Sequence, residues 1–574
     1  MRLLKLTLLI MLFALPSGLF GCNLSRSNVT DTDTDTDSAS SEGLILVKDT
    51  EPLFQIIRPD DASDDQITLA VNIYETLFML LGQSADITTD FLPKNATHDP
   101  QKIAILVGKT NYAESQEVYS ELAYGDYGFR LVGNKVVIYG HTYETLLNAT
   151  NAFIQWLTTS LTTDENGNKN LIMPEGTQVS GTSNFAISSI PPYKSGTLEG
   201  IYDAGDNSSL VYVSSTSAQE YEQYLLQLQE SGFSLHTRNA IESNLFATYY
   251  NDTVIINAWY TAHSNEVRIV ADTKGNLIPL SEEPTQKITS SSLTLISASN
   301  PAQGRGMIFT IRLNDGRFVV FDGGYGSDVG VRLYNELRAQ APDPNNIVIA
   351  AWFITHSHVD HTAAFLQIAN DYGTKYAKTL KIEKIIYNFS SAEQASSHTQ
   401  KLADSDNTLR SLTKRSFSSS LYYKPHPGNE FNFANMKVEV LGTHDSYYPP
   451  YPNLYNACCL FLKVTIENQV IIVTADTDPA NLLSLQDTYG SYLKCDILQA
   501  VHHGGRGGVV SLNKIMNPSV VLFFNTQELL EPYLKQDYNK TLLSNPAYKE
   551  MFVSGHKITI LPLPYTPGTA IIKD

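Results

Sequence analysis

The chain has 574 residues, with 59 acidic against 40 basic side chains and a formal net charge of -19. That length is too great for a single hydrophobic core and implies roughly two to four domains. The acidity argues against a broadly basic nucleic-acid surface, and four cysteines in so long a chain do not make a disulfide framework.

At the N-terminus, Arg2 and Lys5 precede an apolar run from Leu6 to Leu15, too short to span a bilayer and laid out like a secretory signal. It ends in Leu19-Phe20-Gly21-Cys22, which resembles the lipobox of bacterial lipoproteins. The resemblance implies removal of residues 1–21 and lipid on Cys22. That would anchor the protein to the outer face of a bacterial cytoplasmic membrane; without the lipid it would be secreted. Residues 22–42 are rich in Ser, Thr and Asp, with Asp31, Asp33, Asp35 and Asp37 alternating with threonine. Such a stretch cannot bury enough apolar surface to order itself and reads as a tether.

Residues 43–160 alternate strand and helix patterns: a strand at Phe54–Ile57, an amphipathic helix at Asp65–Leu81, a strand at Ile103–Val107 and a helix at Tyr112–Leu122. A hairpin from Phe129 to Tyr139, turning at Gly133-Asn134, and a helix from Tyr143 to Trp156 complete a small α/β domain. Its pattern resembles the accessory domain that precedes the catalytic barrel in glycoside hydrolases of the hexosaminidase type. Gly108-Lys109-Thr110 lacks the earlier glycine of a phosphate loop. Residues 161–195 are polar and turn-rich, and read as a linker.

Residues 196–285 read as a small α+β domain. A helix capped by Ser217 with Glu220 shows an apolar face of Tyr221, Tyr224, Leu225 and Leu228 and stops at Gly232. Strands follow at Phe246–Tyr249, Val254–Trp259 and Val267–Ala271.

Residues 286–574 form the largest predicted unit. Strands at Met307–Leu313 and Phe318–Phe321 flank Asn314-Asp315-Gly316, a hairpin signal. A helix at Val331–Ala341 and a buried strand ending at Ile354 lead to His356, His358, Asp360 and His361, with a helix expected from Thr362 to Asn370. The spacing suggests metal. His356 and His358, two apart, can aim both imidazoles to one side of an extended chain, while Asp360 and His361 fall where it turns into the helix. Zinc accepts such a ligand mix. Further strands are expected at Lys437–Leu441, Leu460–Ile466, Val470–Ala475, Ile497–Val501 and Val520–Phe524. Cys458, Cys459 and Cys495 read as small core residues. Of 13 histidines, His98, His141, His236 and His263 stand singly in the first half and read as ordinary. His398, His426 and His556 favour the same reading.

His-x-His-x-Asp-His after a hydrophobic strand resembles the signature of the metallo-β-lactamase superfamily of binuclear hydrolases. So do Phe318 to Gly324, a strand ending in Asp322; Val470 to Asp476, a strand ending in an aspartate; and Asp496 to Gly505 with its His502-His503 pair. The last is most similar to the branch of competence-channel domains and phosphorylcholine esterases. The resemblance implies a four-layer αββα sandwich at the end of an α/β and α+β multidomain chain, with two divalent ions, zinc or manganese. It places His356 and His358 on one ion, Asp360 and His361 on the other, and Asp476 between them. His444 is the candidate to complete the first set, with Asp445 as its substitute. One of His502 and His503 completes the second; His503 is favoured as ligand, leaving His502 to touch substrate. Asp360 and His502 are thus the catalytic candidates. Asp322 either orients a ligand histidine or caps the Gly323-Gly324 turn.

Two such ions lower the pKa of a shared water, so the protein need supply no nucleophile. Arg506, among glycines after His503, and the loop tyrosines Tyr447 and Tyr448 are candidates to bind substrate. The expected activity is that of a phosphodiesterase on a small-molecule or envelope-polymer phosphoester, nucleic acid being less favoured. A lactone or β-lactam ring hydrolase is the competing enzyme, and a non-catalytic glycan-binding surface lipoprotein the competing class.

Overall fold

The computed structural model describes residues 43–573 apart from 184–185, 206–207, 281–286, 297–304, 390–399, 448–453 and 556. The signal, Cys22, the tether, Tyr448, His398 and His556 lie outside the described residues. Among the described residues no helix is long and apolar enough to cross a membrane.

The first unit is a six-stranded sheet in the order Gln178–Thr182, Asp126–Val132, Lys135–Gly140, Ala104–Val107, Gln55–Arg58, Ile87–Thr89. The four strands from Lys135–Gly140 to Ile87–Thr89 pair in parallel. Parallel strands need cover on both faces. Helices Asp64–Leu81 and Tyr143–Ser160 bury Leu69, Ile73, Leu77 and Phe153 against one face, and Ala113–Glu121 lays Val118 and Tyr119 on the other. The stretch read as a linker is part of this unit. Lys169–Met173 pairs with Leu44–Lys48, and Gln178–Thr182 adds an edge strand beside Asp126–Val132. Gln178–Thr182 is largely exposed, so no hydrophobic alternation announced it.

The middle unit is an antiparallel sheet of six strands, in the order Thr197–Gly205, Ser208–Ser214, Glu266–Thr273, Val254–Thr261, Asn244–Tyr250, Ser234–Ile241. Three of these were not foreseen in the sequence. Its helix Ala218–Glu230 starts at Ser217, whose side chain accepts from the Glu220 N–H, and packs Tyr221, Leu225 and Leu228 on Val211, Ile256 and Ile269. The opposite face is not left to water. Leu210, Ile241, Phe246, Trp259 and Val270 join one cluster with Leu441, Tyr447, Phe461 and Leu485 of the next unit.

That last unit has two sheets. One holds nine strands, among them Ile308–Arg312, Phe318–Asp322, Ile347–Phe353 and Lys384–Ile386, and is closed by Ile558–Pro562 and Ile571–Lys573 from the C-terminus. The other runs Glu430–Phe433, Met436–Gly442, Phe461–Ile466, Gln469–Val473, Ile497–Gln499, Val520–Phe523, Glu550–Val553. Their facing sides bury Phe309, Phe321, Phe353, Phe431, Val440 and Val473 in one core. Phe309 and Phe321 stack with ring centroids 4.6 Å apart, and each such ring contributes about 1.5–3 kcal/mol on burial. Helices Val329–Gln340 and Val359–Asp371 cover the outer face of the first sheet, and Pro479–Tyr489 and Val510–Met516 that of the second. The result is a four-layer αββα sandwich.

Candidate metal centre

Strand Ile347–Phe353 runs out at Ile354, whose N–H still donates to the Ile386 carbonyl. Thr355 to Ser357 form a short buried loop. Helix Val359–Asp371 then begins three residues before the expected Thr362, with His358 as its N-cap in extended geometry. Asp360 and His361 therefore sit in the first helical turn, not in the loop. A carboxylate is favoured there because the first-turn N–H groups present positive potential.

Asp322, at the end of strand Phe318–Asp322, is fully buried and adopts a φ of 59°. Its Oδ1 accepts the Thr355 N–H at 2.7 Å, and its Oδ2 accepts the Thr355 hydroxyl at 2.8 Å. The same Oδ2 lies 2.6 Å from Nδ1 of His361. Of the two roles considered for Asp322, the geometry favours orientation of a histidine: with Nδ1 protonated toward Asp322, the lone pair of Nε2 faces the centre.

Asp476 arrives from the other sheet. Buried Gln499, which the sequence did not single out, holds the turn before it, accepting the N–H groups of Thr474 at 2.8 Å and Ala475 at 2.6 Å. Its only sequence signal was a polar residue at the end of an apolar strand. The His502 N–H donates to the Ala475 carbonyl at 2.9 Å, tying the histidine pair to the same turn. His502 and His503 both take left-handed φ, 51° and 58°. At Gly504, φ is 79° and a Cβ would fall 2.3 Å from the Phe523 ring, so only glycine follows them without displacement.

These elements converge. Ligand-type atoms of Asp360, His361, Asp476 and His503 all lie within 4.8 Å of one another, and so do those of His356, His358 and Asp476. Asp476 belongs to both sets. Its Oδ1 is 3.4 Å from His361 Nε2 and 3.5 Å from His503 Nε2, and its Oδ2 is 3.5 Å from His502 Nε2. His503 Nε2 also lies 3.3 Å from Asp360 Oδ2, while His356 Nε2 and His358 Nδ1 are 3.0 Å apart. His361 Nε2, His503 Nε2 and Asp476 Oδ1 are buried and make no hydrogen bond among the described residues. Buried polar atoms without partners are costly, and three of them converging in a His/Asp shell fit a divalent cation.

Protonation points the same way. Burial, then the neighbouring His361 and His358, push His356 well below the ordinary histidine value, and burial with His361 lowers His358. Burial opposes charge on Asp476, yet His503 and His361 hold it well below the usual carboxylate range, and Asp360 is lowered likewise. Burial also opposes charge on His361, but Asp476 and Asp322 raise it well above the ordinary value. Ionised carboxylates and neutral His356 and His358 are ready donors. The positive charge called for at His361 is one that a cation would supply.

Three sequence candidates, His444, Asp445 and Tyr447, lie outside both donor sets. His444 is buried but belongs to neither set. Asp445, its alternative, is likewise outside both sets: its Oδ2 accepts from His426 Nδ1 at 2.7 Å and Asn388 Nδ2 at 2.6 Å. Tyr447 is a core residue beneath the middle domain, not a residue of the mouth. Arg506 is exposed, and its charge acts on His502 and Asp478. His502 is the most open of the histidine pair, its side chain 17% exposed against 1% for His503, and burial foremost lowers it to about 4.

Residues 303–520 match the family model of the metallo-beta-lactamase superfamily. They form a metallo-beta-lactamase superfamily domain. A comparison with curated proteins found no match. Among solved structures, CmlA, a diiron beta-hydroxylase from Streptomyces venezuelae, is similar at 12% identity over 49% of this chain, with a TM-score of 0.29. The chain spans 55% of that protein's length. Unliganded yeast PDE1 is similar at 12% identity, over 46% of this chain and 98% of its own, with a TM-score of 0.30. A putative metal-dependent hydrolase from Parabacteroides distasonis is similar at 11% identity, over 56% and 98%, with a TM-score of 0.25. The family match and the two donor sets together give the metallo-beta-lactamase domain candidate ligands for divalent metal at its sheet ends.

Proposed function

We propose that the chain is an exported phosphodiesterase of a cell-envelope or extracellular phosphoester, holding two divalent ions, zinc or manganese, and tethered through lipid on Cys22. The carrying observation is the single carboxylate, Asp476, shared by two donor sets. Such paired sites suit in-line displacement at phosphorus. His356 and His358 would hold one ion, Asp360, His361 and His503 the other. Bound there, the ions would supply Lewis acidity and lower the pKa of water. The protein's own share is placement. Asp322 fixes the tautomer of His361, and the Gln499 clamp fixes Asp476. His502, neutral near pH 7 because of its burial, keeps Nε2 at the open side of Asp476, where it can hold a substrate proton. Arg506 brings a guanidinium to the same side, suited to a phosphate oxygen.

The test is metal content of the soluble chain from Ser38 onward, with hydrolysis of bis-p-nitrophenyl phosphate, p-nitrophenyl phosphorylcholine and a chromogenic cephalosporin. Diester turnover that requires metal and disappears in Asp360→Ala is expected. Turnover of the cephalosporin alone would reassign the chemistry to ring opening. A folded chain that binds no metal after reconstitution would overturn catalysis altogether.

A further inference from the structure

Between the middle unit and the metallo-beta-lactamase domain lies a cavity of about 510 Å³, within the roughly 300–1,000 Å³ that small-ligand sites occupy. None of its lining residues belongs to the metal centre. Register explains why it stays open. On the sheet face that docks against the domain, Leu210, Val270, Trp259 and Phe246 are apolar and pack down. Further along the same face stand Ser208, Asp272, Asn257 and Thr248. These cannot join an apolar seam and line the cavity instead.

We propose that this cavity binds an anionic saccharide, a sugar bearing a phosphate or carboxylate group. Three features of the lining match the three parts of such a ligand. For the acid group, the lining offers four cationic side chains, Arg238, Arg410, Lys414 and Lys424, against two acidic ones, Asp272 and Glu430, although the chain as a whole carries -19. Asp272 is matched by Lys424 at 3.0 Å and touches His426 at 2.7 Å, which it shares with Asp445; Lys437 lies between Glu430 at 3.7 Å and Glu439 at 3.1 Å. Arg410 and Lys414, four residues apart on helix Gln400–Ser416, add cationic charge on the opposite wall. For the hydroxyls, Thr248, Asn257 and Asn429 form a nearly buried group: the Thr248 hydroxyl donates to Asn257 Oδ1 at 2.9 Å, and Asn429 Nδ2 donates to it at 3.2 Å. For the apolar ring face, Tyr387 and Tyr422 stand with centroids 4.6 Å apart, and the Arg410 guanidinium lies 5.9 Å from the Tyr387 ring. Aromatic rings bordered by amides and a guanidinium suit a polar ring better than a purely apolar ligand.

The experiment is isothermal titration of the full soluble chain with glucose 6-phosphate, glucuronate, glucose and inorganic phosphate, repeated on Lys414→Glu and Arg410→Ala. Saturable binding of glucose 6-phosphate or glucuronate is expected, at least tenfold weaker in both variants, with diester hydrolysis and melting temperature unchanged. The tighter of the two probes identifies the acid group. Lys414 is exposed, so its substitution tests the site without threatening the fold. Three results would each overturn the proposal: no saturable binding of either anionic sugar, equal binding of glucose or of inorganic phosphate, or binding indifferent to both substitutions. The last would place the anion at the metal centre.

Discussion

Replacing Asp322 by asparagine changes one atom and leaves the buried shape intact, so it isolates what the carboxylate does. Both oxygens of Asp322 are acceptors: Oδ1 for the Thr355 N–H, Oδ2 for the Thr355 hydroxyl and for His361 Nδ1. An amide offers only one acceptor atom. Placed at Oδ1, its NH₂ group would face the Thr355 N–H, donor against donor. Placed at Oδ2, it would force His361 Nδ1 to accept, moving the imidazole proton to Nε2, which lies 3.4 Å from Asp476 and must be bare to bind a cation. The first leaves buried donors without an acceptor, a cost of about 1–3 kcal/mol; the second keeps the bonds but places a proton where the cation must bind. Partners behind a ligand histidine are typically worth about 10- to 100-fold in metal affinity, or about 1.4–2.7 kcal/mol. Competition for zinc against a chromophoric chelator should therefore show Asp322→Asn binding at least tenfold more weakly, with activity partly restored by excess metal. A variant that holds metal within twofold of the parent would refute the orienting role and return Asp322 to a simple turn cap.

Three further outcomes follow from the packing. Gly504→Ala puts a Cβ 2.3 Å from the Phe523 ring at a φ of 79°; metal content should fall and the melting temperature drop by several degrees, whereas a variant equal to the parent in both would show that the histidine turn is pliable. Burial opposes charge on His426, but Asp272 and Asp445 raise it to about 9. Its stabilisation is fully present below the unfolded histidine value of about 6.5 and is lost as pH rises through about 9, on the order of 2–4 kcal/mol. Melting temperature should fall between pH 7 and 10, and His426→Gln should flatten that slope; an unchanged slope would refute the assignment. Residues 286–574 expressed alone would expose Leu441, Tyr447, Phe461 and Leu485, each worth about 1.5–3 kcal/mol when buried, and should aggregate or melt well below the full chain; a soluble monomer of equal stability would show that the docking face is dispensable.

What could be read in the sequence divides along physical lines. Apolar strands buried on both faces, such as Ile347–Phe353 and Val520–Phe523, are visible because nearly continuous burial leaves a continuous apolar run. Six ligand-type residues brought together here sit in motifs whose residue types have few other uses. Edge strands such as Gln178–Thr182 are exposed and polar, so nothing periodic marks them. Helix Val359–Asp371 begins early because His358, a residue without a capping reputation, takes the extended cap geometry while its imidazole belongs to the metal set. Tyr447 looked like part of an aromatic mouth because its burial comes from a sheet some 200 residues earlier in the chain, a contact no local pattern encodes. Gln499 escaped notice for the same reason: its work is done on Thr474 and Ala475, across the neighbouring strand.

Four non-glycine residues at the centre, Asp322, Ala475, His502 and His503, carry positive φ, conformations costing on the order of 1 kcal/mol each outside glycine. Each is held by a contact that is not itself a ligand: Thr355 and the Trp352 indole on Asp322, Gln499 on Ala475, the Ala475 carbonyl on His502, and the Asn525 amide on the His503 carbonyl. Relaxing any one would let a ligand swing away from Asp476, so the strain persists only because two sheets and their turns determine it jointly. The donor sets are therefore preorganised by scaffold groups, and the weight of these backbone clamps in metal affinity should approach that of the histidines themselves.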